Sequence, residues 1–225
     1  MTMSRIAWCG ALALVLLATG RPAKAGSRET VVPNVDATVE GRGNNVMPFD
    51  CGVSARSMRY QQVYAGIEVG SGTITELRFR PDAEFLIAFG PTVLREVTIT
   101  LSSTSAPVNG LSATFAKNVG DDVTTVFSGD LVLASDPGSD VPAPFDVAIP
   151  LSAPFGFDGT SGVNLLLDVT IPTCATTQPF DTTNAQAPHA VSRAFTDAVG
   201  ADSPTADIVD AEGIVTQFVL HDTAP

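Results

Sequence analysis

The stretch Val163–Ile171, which reads VNLLLDVTI, decides the fold class. Apolar side chains occupy every second position, and polar ones fall between them at Asn164, Asp168 and Thr170. Successive side chains of a β-strand point to opposite faces, so this spacing predicts a strand with one buried face. Beyond residue 25 the sequence carries no apolar stripe at the i, i+3, i+4, i+7 spacing of an amphipathic helix.

The same alternation recurs along the chain and predicts roughly nine or ten strands. Val, Thr, Ile and Phe dominate these segments, and Gly, Pro, Asp and Ser separate them. Within Thr75–Arg80, we expect Leu77 and Phe79 to face inward and Arg78 and Arg80 outward. The other candidate strands are Arg59–Ala65, Arg95–Leu101, Ala113–Asn118, Val123–Leu133, Phe145–Leu151, Ala190–Phe195 and Ile214–Leu220.

These segments predict an all-β protein, an antiparallel β-sandwich, of which a jelly roll is one form. Two sheets packed face to face would bury one side of each strand and leave the other in water. A closed barrel is the alternative. Turn chemistry predicts loops at Gly41–Asn45 and Asp136–Asp140 and a hairpin turn at Gly120–Asp122.

Residues 1–25 have the parts of a secretory signal peptide. Arg5 is followed by the apolar run Ile6–Thr19 and by the small-x-small motif Ala23-Lys24-Ala25. A retained membrane anchor is the alternative, but the run is shorter than the ~20 apolar residues that span a bilayer. We therefore predict a signal peptide at 1–25, a single domain at 26–225, and a secreted or cell-surface-associated protein without a membrane span.

The predicted mature chain is strongly acidic. Three of the 12 basic residues, Arg5, Arg21 and Lys24, leave with the signal peptide, so nine remain against 24 acidic ones. Nucleic acids and anionic membrane surfaces attract Lys and Arg patches, so this balance excludes both as expected partners. This net negative charge is typical of a soluble protein whose copies repel one another.

Two cysteines, Cys51 and Cys174, remain once Cys9 leaves with the signal peptide. An even pair in an oxidising compartment predicts a disulfide between them. Two separate buried thiols are the alternative. Neither cysteine has the nearby Cys or His partners of a zinc site.

No catalytic motif is recognisable in the sequence. His189 follows a proline and His221 lies near the last residue, so neither is expected to act as the ordered base of a Ser-His-Asp triad. A pair of carboxylates suffices for glycoside hydrolysis, which keeps that activity as the least favoured alternative. We therefore expect a protein that is not an enzyme and that needs no cofactor.

Calcium is the ligand that the loops favour most, because Ca²⁺ binds clustered oxygen atoms. Two acidic stretches offer such atoms, although neither has the spacing of an EF-hand. The candidate ligands are Asp121 and Asp122 in the first stretch and Asp202, Asp207 and Asp210 in the second. The alternative is that these aspartates only cap turns.

Tyr60, Gln62 and Tyr64 fall on one face of a predicted strand. Exposed there, they would form a polar and aromatic strip able to bind a polysaccharide. The alternative places both rings in the core with their hydroxyl groups hydrogen-bonded.

Several phrases together resemble the extracellular part of exported bacterial proteins of the PEP-CTERM-associated type. The most specific are RYQQVY at Arg59–Tyr64 and FRPDA at Phe79–Ala83; further ones are NLLLDV at Asn164–Val169 and VTQF at Val215–Phe218. The resemblance implies an exported, surface- or matrix-associated domain and supplies no catalytic residues. The sorting tail of that class is not found before Pro225, so we expect free secretion.

Taken together, the sequence predicts a secreted, non-enzymatic β-sandwich with a structural or interaction role at the cell surface or in the extracellular matrix. Its partner would be a surface protein or an extracellular polysaccharide. A polysaccharide-binding module is the alternative function.

Overall fold

The computed structural model describes residues 26–51, 56–183, 189–196 and 198–222. The predicted signal peptide at 1–25 lies outside the described residues. The described part contains thirteen strands, one short α-helix and three 3-10 turns. The strands are β1 (Ser27–Val32), β2 (Gly43–Asn45), β3 (Met58–Tyr64), β4 (Gly72–Phe79), β5 (Phe89–Thr104), β6 (Thr124–Ser135), β7 (Val147–Phe157), β8 (Asn164–Ile171), β9 (Phe180–Thr183), β10 (Val191–Phe195), β11 (Ile208–Asp210), β12 (Gly213–Ile214) and β13 (Thr216–His221).

The helical segments are all short. The α-helix α1 spans Gly66–Val69, and the 3-10 turns span Asn34–Asp36, Ala83–Phe85 and Phe115–Lys117. None of the described helices is long and apolar enough to cross a membrane.

Two antiparallel sheets form a sandwich, which confirms the predicted all-β fold. One sheet has the order β1-β13-β4-β7, and the other has the order β11-β10-β3-β8-β5-β6. The first long strand pairs with the last, and the other pairs are nested between them in the sequence. The four pairs are β1 with β13, β3 with β8, β4 with β7, and β5 with β6. A long antiparallel hairpin wrapped into two sheets gives this nested pairing, and it is the strand arrangement of a jelly roll.

The main core lies between these two sheets and takes apolar side chains from both. Leu77 of β4 and Phe218 of β13 contribute from one side, and Ile99 of β5 and Leu167 of β8 contribute from the other. Strand β8 confirms the prediction from VNLLLDVTI, since Leu165, Leu167 and Val169 all join this core. The two sheets therefore pack through the strand faces that the alternating apolar residues predicted to be buried.

Strand β8 is also buried on its second face, unlike a strand with one face in water. Leu166 packs there with Val63, Leu111 and Phe115 in a smaller apolar cluster. The last two belong to the segment 105–119, which crosses the outer face of the six-stranded sheet. The region predicted as a strand at Ala113–Asn118 instead forms a 3-10 turn, because Phe115 inserts into this cluster rather than alternating along a sheet.

A third sheet, with the order β12-β9-β2, lies beyond the end of β4. These strands are two to four residues long, and with β1 and β11, which were not predicted either, they bring the count above the prediction. The predicted loop at Gly41–Asn45 is wrong in part, since β2 pairs with β9 there. Beneath β9, the rings of Phe49, Phe79 and Phe180 form an aromatic cluster with centroids 5.3 to 6.3 Å apart.

The predicted disulfide is present. Cys51 and Cys174 are bonded, with their Cα atoms 5.6 Å apart and a sequence separation of 123. Disulfides persist in oxidising compartments, so the bond fits a protein that works outside the reducing cytosol. It also joins the chain before β3 to the chain after β8, next to Met58 and Tyr60 in a small buried cluster.

We predict that replacing both cysteines, as Cys51→Ser with Cys174→Ser, lowers the free energy of unfolding by about 2–4 kcal/mol, because the open chain gains entropy when it unfolds. Urea denaturation of the variant and of the oxidised wild type measures the difference. As a direct check, the protein lacking residues 1–25 should show no reactive thiol in denaturant before reduction. Two reactive thiols at that stage would contradict the bond.

Candidate functional site

Three carboxylates converge where the small sheet meets the end of β4. Glu40 precedes β2, Asp82 follows β4, and Asp181 lies in β9. One carboxylate oxygen from each lies within 4.8 Å of the others. Asp82 and Asp181 are buried, whereas Glu40 is partly exposed. Among the described residues, these form the one group of three acidic, histidine or cysteine side chains close enough to share a metal ion.

Arg80 supplies the positive charge at this site. Its guanidinium Nε donates to Asp181 Oδ2 at 2.7 Å, and both side chains are almost completely buried. A second guanidinium nitrogen donates to the main-chain carbonyls of Asp36 and Val39, at 2.9 and 2.6 Å. The Phe145 ring covers the guanidinium, with its centroid 4.8 Å from Cζ. Arg80 therefore holds the segment 36–39 against β9.

Backbone amides position the carboxylates. Gly41 N donates to Asp181 Oδ1 at 2.9 Å, and Ala83 N donates to Glu40 Oε1 at 2.8 Å. Glu84 N donates to Asp82 Oδ1 at 2.9 Å. At Gly41 a Cβ atom would lie 2.3 Å from the carbonyl oxygen of Thr182, so the close approach of these two segments requires glycine.

Burial makes these acids hard to ionise. Loss of hydration raises the pKa of Asp181 to about 7; the charge of Arg80 opposes this rise and that of Glu40 adds to it. Burial also raises the pKa values of Glu40, Asp82 and Asp36 above their ordinary range. Two buried carboxylate oxygens, Asp36 Oδ2 and Glu40 Oε2, have no hydrogen-bond partner. The group therefore carries unused acceptor capacity that a proton or a hard cation can take up.

This site was not predicted from the sequence, and the prediction that Arg80 faces outward is wrong. Arg80 was expected to face outward in phase with Arg78, but only 1% of its surface is exposed. Strand β4 ends at Phe79 and Pro81 follows, so the two-residue period no longer applies at position 80. The sequence signal for this site was Arg80-Pro81-Asp82, in which an arginine and an aspartate flank a proline at the end of a strand.

The strip of Tyr60, Gln62 and Tyr64 exists, but it faces the interior. All three side chains are 0% exposed, and both hydroxyl groups are hydrogen-bonded. Gln62 exchanges two hydrogen bonds with the backbone of Ile214, each of 2.9 Å. The prediction of a ligand-binding strip is thus corrected in favour of the core alternative, because no ring of this strip is exposed to a ligand in solution.

The acids predicted to bind calcium do not come together. In the described part of the chain, none of the five belongs to a group with the geometry of a metal site. Asp121 and Asp202 are exposed, and Asp122 accepts from Ser103 N at 2.8 Å. Asp207 accepts from Ala198 N at 2.8 Å, and Asp210 pairs with Arg193. The carboxylates of Asp122 and Asp207 thus cap nearby backbone, and that of Asp210 balances an arginine.

Comparison with known proteins gave no relative: a scan against protein-family models and searches of curated proteins and of solved structures found no match.

The two buried tyrosines, which are the only tyrosines in the sequence, predict how stability depends on pH. Burial raises the pKa of Tyr60 and of Tyr64 above the ordinary value near 10. The folded protein then keeps protons that the unfolded chain loses, so stability falls as the pH rises beyond about 10. We expect phenolate absorbance to appear together with unfolding, whereas the protein in denaturant should titrate at the ordinary pKa. Ionisation near pH 10 with intact near-ultraviolet circular dichroism would contradict this.

The buried ion pair gives a stability prediction. Arg80→Ala leaves Asp181 buried without its counter-charge, and we expect the free energy of unfolding to fall by about 3–5 kcal/mol. Arg95→Ala is the matched control, because Arg95 pairs with Asp130 at the surface with 65% and 44% of the two side chains exposed. That loss should stay within about 1 kcal/mol. Equal losses in urea denaturation would show that the Arg80 pair has no special role.

Proposed function

We propose that this protein is a secreted, non-enzymatic β-sandwich that acts as a structural or interaction module at the cell surface or in extracellular polymer. The observation that carries the proposal is that the central polar side chains bond to one another and to the backbone. They hold distant segments of the chain against the two sheets, as expected of a rigid scaffold that presents its loops to a partner.

The outer face of the six-stranded sheet illustrates this bonding. Asp168 of β8 forms an ion pair of 2.7 Å with Arg59 and accepts a hydrogen bond of 2.7 Å from Gln61. Gln61 accepts in turn from Asn118, which also donates to the carbonyl of Ser112. Gln61 also donates to the carbonyl of Phe115, so the network ties the 3-10 turn Phe115–Lys117 to β3 and, through Asp168, to β8. Satisfied buried networks of this kind rigidify a fold.

The disulfide and the acidic composition support the location. A bond that closes 123 positions of sequence favours the folded state in an environment without cytosolic reductants. A net negative charge discourages self-association of the protein. Both features suit an extracellular scaffold.

A retention experiment tests the role. The purified protein is incubated with soluble and insoluble polysaccharides and with cell-envelope fractions, and the bound fraction and any released sugar are measured. We expect retention on an envelope or polymer fraction without release of sugar. The reduced and alkylated protein, which lacks the disulfide, serves as the matched control for non-specific adsorption.

Two outcomes would contradict the proposal. Release of reducing sugar that is abolished by one Asp→Asn or Glu→Gln substitution would show a glycoside hydrolase. Recovery of the protein from the cytosol, with Cys51 and Cys174 as free thiols, would exclude an extracellular scaffold.

A further inference from the structure

The site around Arg80 has more buried negative charge than its arginine balances. Glu40, Asp82 and Asp181 lie within 4.8 Å of one another, and Asp181 is already paired with Arg80. Asp36 is a fourth acid, 7% exposed, whose charge acts on Asp181; the charges of Arg80 and Arg42 and a hydrogen bond with Thr183 act on Asp36 in turn. Buried carboxylates without a counter-charge are costly, so the group requires either bound protons or a bound cation.

Two unpartnered oxygens distinguish these acids from the other acidic side chains that the structure describes. Asp36 Oδ2 and Glu40 Oε2 are shielded from water and accept no hydrogen bond. Glu40 Oε2 belongs to one of the three converging carboxylates, and the charges of both Glu40 and Asp36 help to raise the pKa of Asp181. In a native fold such groups are normally satisfied, and an ion is one way in which they can be.

We propose that Glu40, Asp82 and Asp181 bind one Ca²⁺ ion, with Asp36 adding negative charge behind them. The donors are all carboxylate oxygens, the chemistry that hard cations prefer over zinc or copper. Glu40 is partly exposed and leaves a route for the ion to enter. The three ligands come from three separate segments, so the ion would tie the chain before β2, the end of β4 and strand β9 to one another.

Titration calorimetry on the purified full chain, after treatment with EDTA, tests the site with CaCl₂ as the probe. We expect one ion per chain, with a dissociation constant in the range of extracellular calcium modules, roughly 0.1–1 mM. The temperature of thermal unfolding should rise with added Ca²⁺, because the ion binds the folded state alone. No heat of binding and no change in unfolding temperature would overturn the proposal.

Substitutions assign the ion to this site. Glu40→Gln and Asp82→Asn should each weaken Ca²⁺ binding by at least about tenfold, as changes around metal sites commonly do. The control is the double variant Asp121→Asn with Asp202→Asn, which removes two exposed acidic charges elsewhere. Binding should survive in this control. Unchanged binding in both site variants, or equal weakening in the control, would show diffuse attraction to an acidic surface instead.

Hydrogen exchange on the wild type keeps the proposal testable if a site variant fails to fold. The amides of Gly41, Ala83 and Glu84 donate to the three carboxylates, so Ca²⁺ should slow their exchange. Protection confined to other regions, such as the turn at Asp121 and Asp122, would place the ion elsewhere and refute the assignment.

Discussion

The ion pair between Arg80 and Asp181 is the contact that the end of the sandwich depends on. Each side chain is buried, so neither charge is stable there without the other. Arg80 also reaches the carbonyls of Asp36 and Val39, and Asp181 accepts from Gly41. One guanidinium thus determines where the segment before β2 lies, and with it the small sheet that covers the aromatic cluster.

Arginine performs the same task at two other places in the fold. Arg59 grips both oxygens of Asp168 on the outer face, and Arg193 does so with Asp210 at the far edge of the six-stranded sheet. The planar guanidinium can bind a carboxylate with two parallel hydrogen bonds, which a lysine cannot do. This geometry explains how three of the few basic residues, Arg59, Arg80 and Arg193, hold separate segments of the fold together.

Prediction from the sequence worked where side chains alternate between core and water. Strands β5 and β8 were found because their apolar residues repeat with period two, and the disulfide followed from a cysteine count. Strands β2 and β9 were missed, since Gly43–Asn45 and Phe180–Thr183 are short and mostly polar. Arg80 and Tyr60 were harder still. Arg80 is paired with Asp181, and Tyr60 bonds to Gln62, which is in turn held by the backbone of Ile214. Asp181 and Ile214 lie more than 100 positions further along the chain than the residues they bind.

The nested strand order constrains when the fold can be completed. Strand β13 lies between β1 and β4 in the four-stranded sheet, although it is the last described strand of the chain. Ser27 finds its backbone partner only at His221. A chain still missing its final segment therefore leaves the first strand without a neighbour and the sheet split in two. Such long-range pairing makes folding slow, and a growing chain cannot close the sandwich until β13 has been synthesised.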